Sequence, residues 1–519
     1  MKPFKLTATA LIAVTACLSF TVFTNIDAND PVKTEYGLVS GVKSNASDVI
    51  IYKGIPFATP PVDDLRWHAP VPAKPWTGVR KCDTFGPDPY QPAPHAVSMW
   101  SDEYFIPKES TRSEDCLYLN VWKPGKQASN KLPVIVWIYG GGFNSGGTDL
   151  PLYSGEATAN KGVIFVSANY RVGIFGSFAH PDLTKESGYN ASGNYGLLDQ
   201  IAALKWVQKN IAAFGGDPDN VTVDGQSAGS MAINCLIASP LAKGLFKKAI
   251  AESGGYMVSA ARGMQTLQQS EEQGVKTATA LNATSIADLR KLSSEEVQAK
   301  MKGNFAPIID GYVLPESVPA IFAAGKQNKV SLLTGWNENE GMLQGRLKNA
   351  ADFKTSAQTT YGANANTFLS YYPANSEEEA NASQYKLSKD LMFGIQNYTL
   401  ANVESQTTKV FVYRFTHRVP GTGIYENIGA FHSGELVYTF NNLQYVNRPF
   451  TAVDREVANA LSSYWVNFVV NGDPNGKGLT KWPAYTEKDN MVMLLGDKPE
   501  AQKMPDKAAL DLVIGGMKR

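Results

Sequence analysis

One nine-residue stretch, 221–229, restricts the possible folds of this chain more than any other. Its first half is β-branched, and its second half reads Gly-x-Ser-x-Gly with Ser227 at the centre. An apolar run follows over 231–237. This order predicts a strand, a sharp turn and a helix, in which two glycines let neighbouring backbone pass close to a strained serine. The bare motif also arises by chance in chains of this length, so its meaning depends on the rest of the sequence.

Short apolar runs alternate with helical patterns along the chain. Nearly continuous apolar segments, as expected for strands covered on both faces, lie at 132–138, 162–168, 248–251, 330–334 and 410–415. Strands that alternate with helices predict an α/β fold, with a mostly parallel sheet and helices on both faces. Functional sites of such sheets gather at the carboxyl ends of the strands. No linker or repeat divides the chain after about residue 29, so we expect residues 29–519 to form a single domain.

The N-terminus has the pattern of an export signal. Two lysines precede an uncharged, mostly apolar run over 6–23, and Ala28 offers a cleavage position. Residues 1–28 are therefore predicted to be a signal peptide, and the mature protein to be periplasmic or secreted. A membrane anchor and a lipid attached to Cys17 are the alternatives, but the apolar run continues past Cys17, which favours cleavage further on. No other stretch approaches the roughly 18 apolar residues of a membrane span.

The charge balance and the histidine count narrow the possible ligands. Lys+Arg and Asp+Glu are equal at 48 each, so no basic field predicts nucleic-acid binding. The chain has five histidines and contains neither His-Glu-x-x-His nor Cys-x-x-Cys. We therefore expect no catalytic metal, and nothing in the sequence implies a cofactor. A hydrophobic content of 43% with 18% charged residues is that of a globular protein and excludes global disorder.

A glycine-rich loop, 139–143, directly follows the apolar run at 132–138. Its consecutive glycines let backbone N–H groups converge on one point, which an oxyanion hole requires. A phosphate-binding loop would need lysine where Thr148 stands, and a dinucleotide fingerprint would need glycine where Ser145 stands. A tight turn without any binding role is the remaining alternative.

A base and an acid are needed to activate the serine, and each has candidates in a loop after a strand. His432 lies in a glycine-flanked loop over 429–435 and follows every candidate acid in the chain. Serine, acid, histidine is the chain order of α/β-hydrolases. Asp310, Glu338 and Glu340 compete to orient this histidine. We favour Glu340 because the glycine that follows it allows the backbone to turn the side chain inward.

Several ordered motifs together resemble one family, the type-B carboxylesterases, which include the cholinesterases and many bacterial esterases. The resemblance covers nearly the whole mature chain, and its landmarks are 113–120, 139–143, 194–200, 214–218, the 221–229 stretch and the loops of Glu340 and His432. It implies an α/β-hydrolase fold with helical insertions around the active site. It also implies a serine esterase that hydrolyses small carboxylic esters through an acyl-enzyme.

The resemblance assigns roles to particular residues. The implied triad is nucleophile Ser227, acid Glu340 and base His432. The implied oxyanion donors are the backbone N–H groups of Gly141, Gly142 and Ala228. A disulfide between Cys82 and Cys116 is implied as well, and it agrees with three cysteines in the mature chain if Cys235 is a buried free thiol.

The chain departs from the family pattern at three positions near the serine. Gln226 stands where glutamate is most common, Asp224 where an apolar residue is usual, and Ser230 where glycine is usual. Gln226 removes a charge beside the serine and with it the basis for preferring cationic substrates. Trp100 is a candidate aromatic of the substrate pocket. The family also contains adhesion proteins without catalysis, so a binding protein on the same scaffold is the rival reading.

Overall fold

Eleven strands of the described residues form one large sheet in the computed structural model. The structure describes residues 24–25, 30–96, 98–127, 131–258, 263–299, 305–342 and 345–517. The predicted signal peptide, including Cys17, lies outside the described residues except for the backbone of 24–25. The division of the chain at residue 28 therefore stays a prediction.

The strands of the large sheet, in chain order, are β1 (Val42–Lys43), β2 (Ile50–Pro56), β3 (Tyr118–Lys123), β4 (Leu132–Ile138), β5 (Ile164–Ala168), β6 (Gly216–Gln226), β7 (Lys248–Glu252), β8 (Ser331–Asn337), β9 (Val410–Phe415), β10 (Met491–Leu495) and β11 (Glu500–Lys503). Their spatial order is β11-β10-β9-β8-β7-β6-β4-β5-β3-β2-β1. Neighbours are parallel from β10 through to β5. Antiparallel strands complete both edges. The predicted mostly parallel sheet is confirmed.

Helices cover both faces of this sheet. Every residue of β5, β7 and β9 is buried, which requires a packed layer on each side. The α-helices of the described residues are α1 (Glu156–Asn160), α2 (Gly173–Ser177), α3 (Pro181–Glu186), α4 (Tyr195–Asn210), α5 (Ala228–Ala238), α6 (Leu267–Ala280), α7 (Ile286–Lys291), α8 (Ser294–Ala299), α9 (Val318–Ala323), α10 (Ala350–Tyr361), α11 (Ala365–Tyr371), α12 (Glu377–Lys389), α13 (Ile395–Glu404), α14 (Leu436–Thr439), α15 (Ala452–Asn471) and α16 (Lys507–Met517). Helix α5 packs on β6 and β7, α13 on β8 and β9, and α15 on β4 and β6.

Two groups of helices are inserted between parallel strands. Helices α6 to α9 lie between β7 and β8, and α10 to α13 lie between β8 and β9. A π-helical turn, Asp390–Gly394, joins α12 to α13. Short strands of the described residues form three smaller sheets. One contains Val32–Lys33, Leu38–Ser40 and Val79–Lys81. The other two pair Asp88–Pro89 with Arg112–Ser113 and Thr24–Asn25 with Lys126–Gln127.

Across the described ranges, the structure contains no helix with the length and apolar character needed to span a membrane.

Candidate active site

Ser227 occupies a sharp turn between β6 and α5, as the Gly-x-Ser-x-Gly pattern predicts. Its backbone has φ 58° and ψ −122°, a conformation that non-glycine residues rarely adopt. The turn is fixed because the Ser227 N–H donates to the carbonyl of Glu252 at 2.8 Å, and the Ser227 carbonyl accepts from Met231 N–H at 3.0 Å. The serine side chain is only partly buried. The strained turn thus holds the hydroxyl clear of the sheet.

The two glycines of the motif are required by close backbone packing. A Cβ added to Gly229 would lie 2.1 Å from the carbonyl oxygen of Ile138, and one added to Gly225 would lie 2.8 Å from the same oxygen. Both distances are too short for real side-chain contacts. The motif therefore allows the turn to pass directly against the end of β4.

The glycine loop after β4 lies against the serine. A Cβ on Gly140 would be 3.1 Å from the Ser227 Cβ and 2.8 Å from the Gln226 carbonyl oxygen. Gly141 and Gly142 follow with φ 108° and 63°, and both are exposed. On the other side of the serine, Ala228 begins α5, and the first N–H groups of a helix have no intrahelical partner. The glycine loop and the first turn of α5 therefore lie on two sides of Ser227.

Glu340 and His432 form a buried pair at the same edge of the sheet. His432 Nδ1 lies 2.9 Å from Glu340 Oε2, and both side chains are almost fully buried. The second carboxylate oxygen, Oε1, accepts the Asn337 N–H at 2.8 Å. The carboxylate thus has one oxygen fixed by the backbone and the other directed at the imidazole, which favours a proton on Nδ1.

The imidazole of His432 is enclosed by three side chains. Phe393 stacks on it with ring centroids 4.4 Å apart and planes 18° apart. The Gln226 amide nitrogen lies 3.3 Å from Nε2 and 3.4 Å from Nδ1. Trp100 meets the ring edge-on at 5.9 Å, and its indole N–H donates to the His432 carbonyl at 2.9 Å. The predicted pocket aromatic therefore contacts the histidine itself.

The contact between Gln226 and His432 brings the histidine next to the serine in space, since Gln226 precedes Ser227. Within the described residues, no hydrogen bond joins the Ser227 hydroxyl to His432. Such bonds are often long without substrate and tighten in the enzyme–substrate complex.

The two rival acids have other partners. Glu338 pairs with Arg414 at 3.0 Å, and its side chain is 47% exposed. Asp310 accepts the N–H groups of Tyr312 and Leu314 at 3.1 and 2.9 Å, which is a turn-forming role. Of the three carboxylates that could have oriented His432, the structure brings only Glu340 to it.

Two of the motifs that carry the family resemblance, 113–120 and 194–200, each contain an acid that forms a buried ion pair. Arg66 binds both oxygens of Glu114, at 2.8 and 2.6 Å, and Arg171 binds both oxygens of Asp199, at 2.8 and 2.7 Å. Such two-point contacts fix orientation as well as charge. Glu114 belongs to the 113–120 motif and Asp199 to the 194–200 motif, so each motif supplies the acid of a buried ion pair.

Three buried carboxyls lie behind the site, and the sequence did not identify them as a group. Asp224 and Glu252 occupy neighbouring strands, and Glu435 is the last residue of the His432 loop. Burial raises the pKa of Asp224 to about 7. Burial together with the neighbouring Asp224 raises the pKa of Glu252 well above its usual value, and burial does the same for Glu435. The protonated forms of Glu252 and Glu435 are therefore favoured near neutral pH, where Asp224 itself titrates.

The implied disulfide is absent from the structure. Cys82, Cys116 and Cys235 are all buried free thiols. The Cys82 thiol lies near Arg80 and Asp83, with Sγ 3.8 Å from the Arg80 carbonyl oxygen, and burial raises its pKa to about 11. The Cys116 thiol instead neighbours the Arg171–Asp199 pair. The two thiols thus occupy different surroundings, which corrects the expectation of a Cys82–Cys116 bridge.

Two other histidines in the part of the chain that the structure describes contact acids, and each links or caps helices. His417 lies between Asp454 and Asp497, at 3.0 and 2.6 Å, where it links α15 to the loop after β10. His180 caps α3 by accepting the Asp182 N–H. The described residues contain no group of three or more histidine, cysteine or acidic side chains able to hold a metal ion.

Comparisons with known proteins place the chain in a family. A model of the carboxylesterase family matches residues 28–513. The fumonisin B1 esterase of Sphingopyxis macrogoltabida is 38% identical over 489 residues, covering 90% of this chain and 86% of that protein. The para-nitrobenzyl esterase of Bacillus subtilis (strain 168) is 36% identical over 502 residues, covering 92% and 96%.

A solved structure of a PNB esterase agrees with this fold, with a TM-score of 0.81, 33% identity and coverage of 93% of this chain and 99% of that one. The α/β-hydrolase fold predicted from the motifs is confirmed. The chain belongs to the carboxylesterase family and is a carboxylic ester hydrolase.

Proposed function

We propose that the chain hydrolyses carboxylic esters through an acyl-enzyme on Ser227, with Glu340 and His432 completing the triad. The observation that carries this proposal is the buried Glu340–His432 pair at the same sheet edge as the strained Ser227 turn. The order of the three residues along the chain is also that of α/β-hydrolases.

The first half of the reaction transfers the acyl group to the enzyme. His432 Nε2 accepts the Ser227 hydroxyl proton as Oγ forms a bond to the ester carbonyl carbon. The carbonyl oxygen becomes an oxyanion, which the N–H groups of Gly141, Gly142 and Ala228 stabilise. His432 then gives its proton to the alkoxide oxygen as the C–O bond breaks, and the alcohol leaves.

The second half releases the acid. His432 takes a proton from water as the water oxygen attacks the acyl carbon. It then returns this proton to Ser227 Oγ as the bond between the acyl carbon and Oγ breaks. Glu340 holds the proton on Nδ1 throughout and stabilises the imidazolium in each half. Every proton transfer uses Nε2 of His432, and no cofactor enters.

The relatives are named for different esters, fumonisin B1 in one and para-nitrobenzyl esters in another. We therefore assign this chain only the class of substrate they share, small carboxylic esters. We also propose that the protein is exported, on the pattern of residues 1–28. N-terminal sequencing of protein secreted by cells should then find a chain that begins near residue 29, and a lipid-modified Cys17 would contradict cleavage at Ala28.

The test of the enzymatic proposal is hydrolysis of p-nitrophenyl butyrate by the purified protein. Ser227→Ala should lower kcat by about 10⁶-fold, as removal of the nucleophile does in serine proteases. Ser230→Ala is the matched control, because this buried hydroxyl lies one helical turn away and only donates to the Gly254 carbonyl at 2.7 Å. Equal turnover by wild type and Ser227→Ala would refute the assignment, and no turnover by wild type would favour the binding-protein reading.

A further inference from the structure

Phe393 makes the closest ring contact of the catalytic histidine. Its ring is almost parallel to the imidazole, with centroids 4.4 Å apart, and Phe393 itself is 5% exposed. It lies in the π-helical turn Asp390–Gly394, between two ordinary helices. Such turns are rare and occur often at functional sites. The residue that stacks on His432 thus lies in a rare backbone conformation.

The opposite face of the imidazole is covered by Gln226. Its amide nitrogen is nearly equidistant from the two ring nitrogens, at 3.3 and 3.4 Å. If the amide nitrogen lay in the ring plane at equal distance from both ring nitrogens, it would clash with the carbon between them. The amide nitrogen therefore lies above the ring plane. The amide is fixed because its oxygen accepts the Ser433 hydroxyl at 3.1 Å. The imidazole is thus held between an aromatic ring and a neutral amide.

The π-helical turn is anchored to the loop that carries Glu340. Asp390, fully buried, accepts the Tyr372 hydroxyl at 2.8 Å and pairs with Lys389 at 3.0 Å. In α12, the Ser388 hydroxyl donates to the Met342 carbonyl, two residues after Glu340. Phe393 and the acid of the triad are therefore positioned by one connected piece of structure.

We propose that Phe393 is a positioning residue that stabilises the imidazolium form of His432 during proton transfer. The proposal rests on the proposed triad. When the Ser227 proton moves to Nε2, the imidazole gains a full positive charge, and the negative face of an adjacent aromatic ring attracts it. The neutral imidazole of the resting enzyme gains much less from the same contact. Phe393 therefore favours the transition state over the ground state and contributes to kcat, not to substrate binding.

The size of the effect follows from cation–π energies. Cation–π contacts, from exposed to desolvated, amount to a 2- to 30-fold effect on rate, roughly the range of 0.5–2 kcal/mol at 1.36 kcal/mol per tenfold. A purely structural role for Phe393 makes a different prediction, because packing depends on the shape of the ring and hardly on its electron density.

The test varies the electron density at constant shape. Phe393 is replaced by phenylalanine carrying one, two and three ring fluorines, which progressively weaken the negative face. We expect kcat for p-nitrophenyl butyrate to fall stepwise across the series, to a total of 2- to 30-fold, with KM and the melting temperature unchanged. The same series at Phe368 is the matched control, since that buried ring lies in α11, stacks on Tyr361 and Tyr372, and makes no ring contact with His432 among the described residues.

The outcomes separate the two proposals. An inactive wild-type protein overturns the proposed function. An active wild type whose kcat stays flat across the Phe393 series, or falls equally in the Phe368 series, overturns the role of Phe393 alone. Phe393→Leu gives an independent check, because it should lower kcat within the same range without raising KM.

Discussion

Replacing Glu340 by glutamine should disable the enzyme by forcing the wrong tautomer on His432. The native carboxylate accepts two hydrogen bonds, from Asn337 N–H at 2.8 Å and from His432 Nδ1 at 2.9 Å. In the variant, the Asn337 N–H still needs an acceptor, so the amide oxygen takes the place of Oε1. The amide nitrogen then takes the place of Oε2 and donates to Nδ1.

The consequence is that the ring proton moves to Nε2. Nε2 can then no longer accept the proton of Ser227, and the imidazolium loses its neighbouring negative charge. The acid-to-amide change in a serine protease lowers kcat by about 10⁴-fold through the same tautomer error, which corresponds to about 5.5 kcal/mol of barrier. We expect a loss of about 10³–10⁴-fold for Glu340→Gln, with the fold intact because both hydrogen bonds are still made.

The assay is steady-state hydrolysis of p-nitrophenyl butyrate, with circular dichroism to verify folding. Glu338→Gln and Asp310→Asn are the controls, since Glu338 faces Arg414 and solvent and Asp310 supports a turn. Each should stay within about tenfold of wild type, worth about 1.4 kcal/mol. A large loss in either control together with a mild effect of Glu340→Gln would refute the reasoning.

Three further predictions follow from packing, burial and the free thiols. Gly229→Ala places a methyl group 2.1 Å from a backbone oxygen and should destabilise the fold by about 1–3 kcal/mol in urea unfolding, whereas Gly515→Ala, with open space around it, should not. Since the pKa of Asp224 is raised from 3.8 to about 7, the folded protein keeps a proton that the unfolded chain releases between these values. Asp224 should therefore contribute a fall of up to about 4 kcal/mol in the free energy of unfolding as pH rises from 4 to 7. Asp224→Asn should make the measured fall less steep, and parallel profiles for wild type and variant would contradict the shift. Alkylation under denaturing, non-reducing conditions and peptide mass spectrometry should find free thiols, and no linked peptides, at Cys82, Cys116 and Cys235.

The sequence predicted the sheet and the sharp turn at Ser227 well because both depend on local patterns. Apolar runs mark the buried central strands, and Gly225 and Gly229 are needed where the turn meets β4. The start of β6 was predicted too late, at 221, although the strand begins at Gly216. Its first residues are polar and include a proline, and they become part of the strand only through the pairing of Gly216 with Leu132. A long-range pairing of this kind leaves no local signal.

The surroundings of His432 could not be predicted, since they come from distant segments. Phe393 sits in a helical region whose pattern is that of ordinary core, and only the tertiary fold brings it to the imidazole. Gln226 was noted as a departure from the family, yet its place over the ring depends on the loop of Ser433. The Cys82–Cys116 bridge was implied by the family resemblance, which carries no information on the surroundings of the two thiols in this chain, and both are free thiols in the structure.

The measurement that tests the central claim most directly is active-site labelling with a fluorophosphonate, which phosphonylates only an activated serine. The labelled protein is digested and the modified peptide is sequenced by mass spectrometry, with residual esterase activity followed in parallel. The account predicts one phosphonyl group per chain, located on Ser227, with activity lost in proportion to labelling. Full loss of activity with the label on another residue, or full labelling of Ser227 with activity retained, would contradict it.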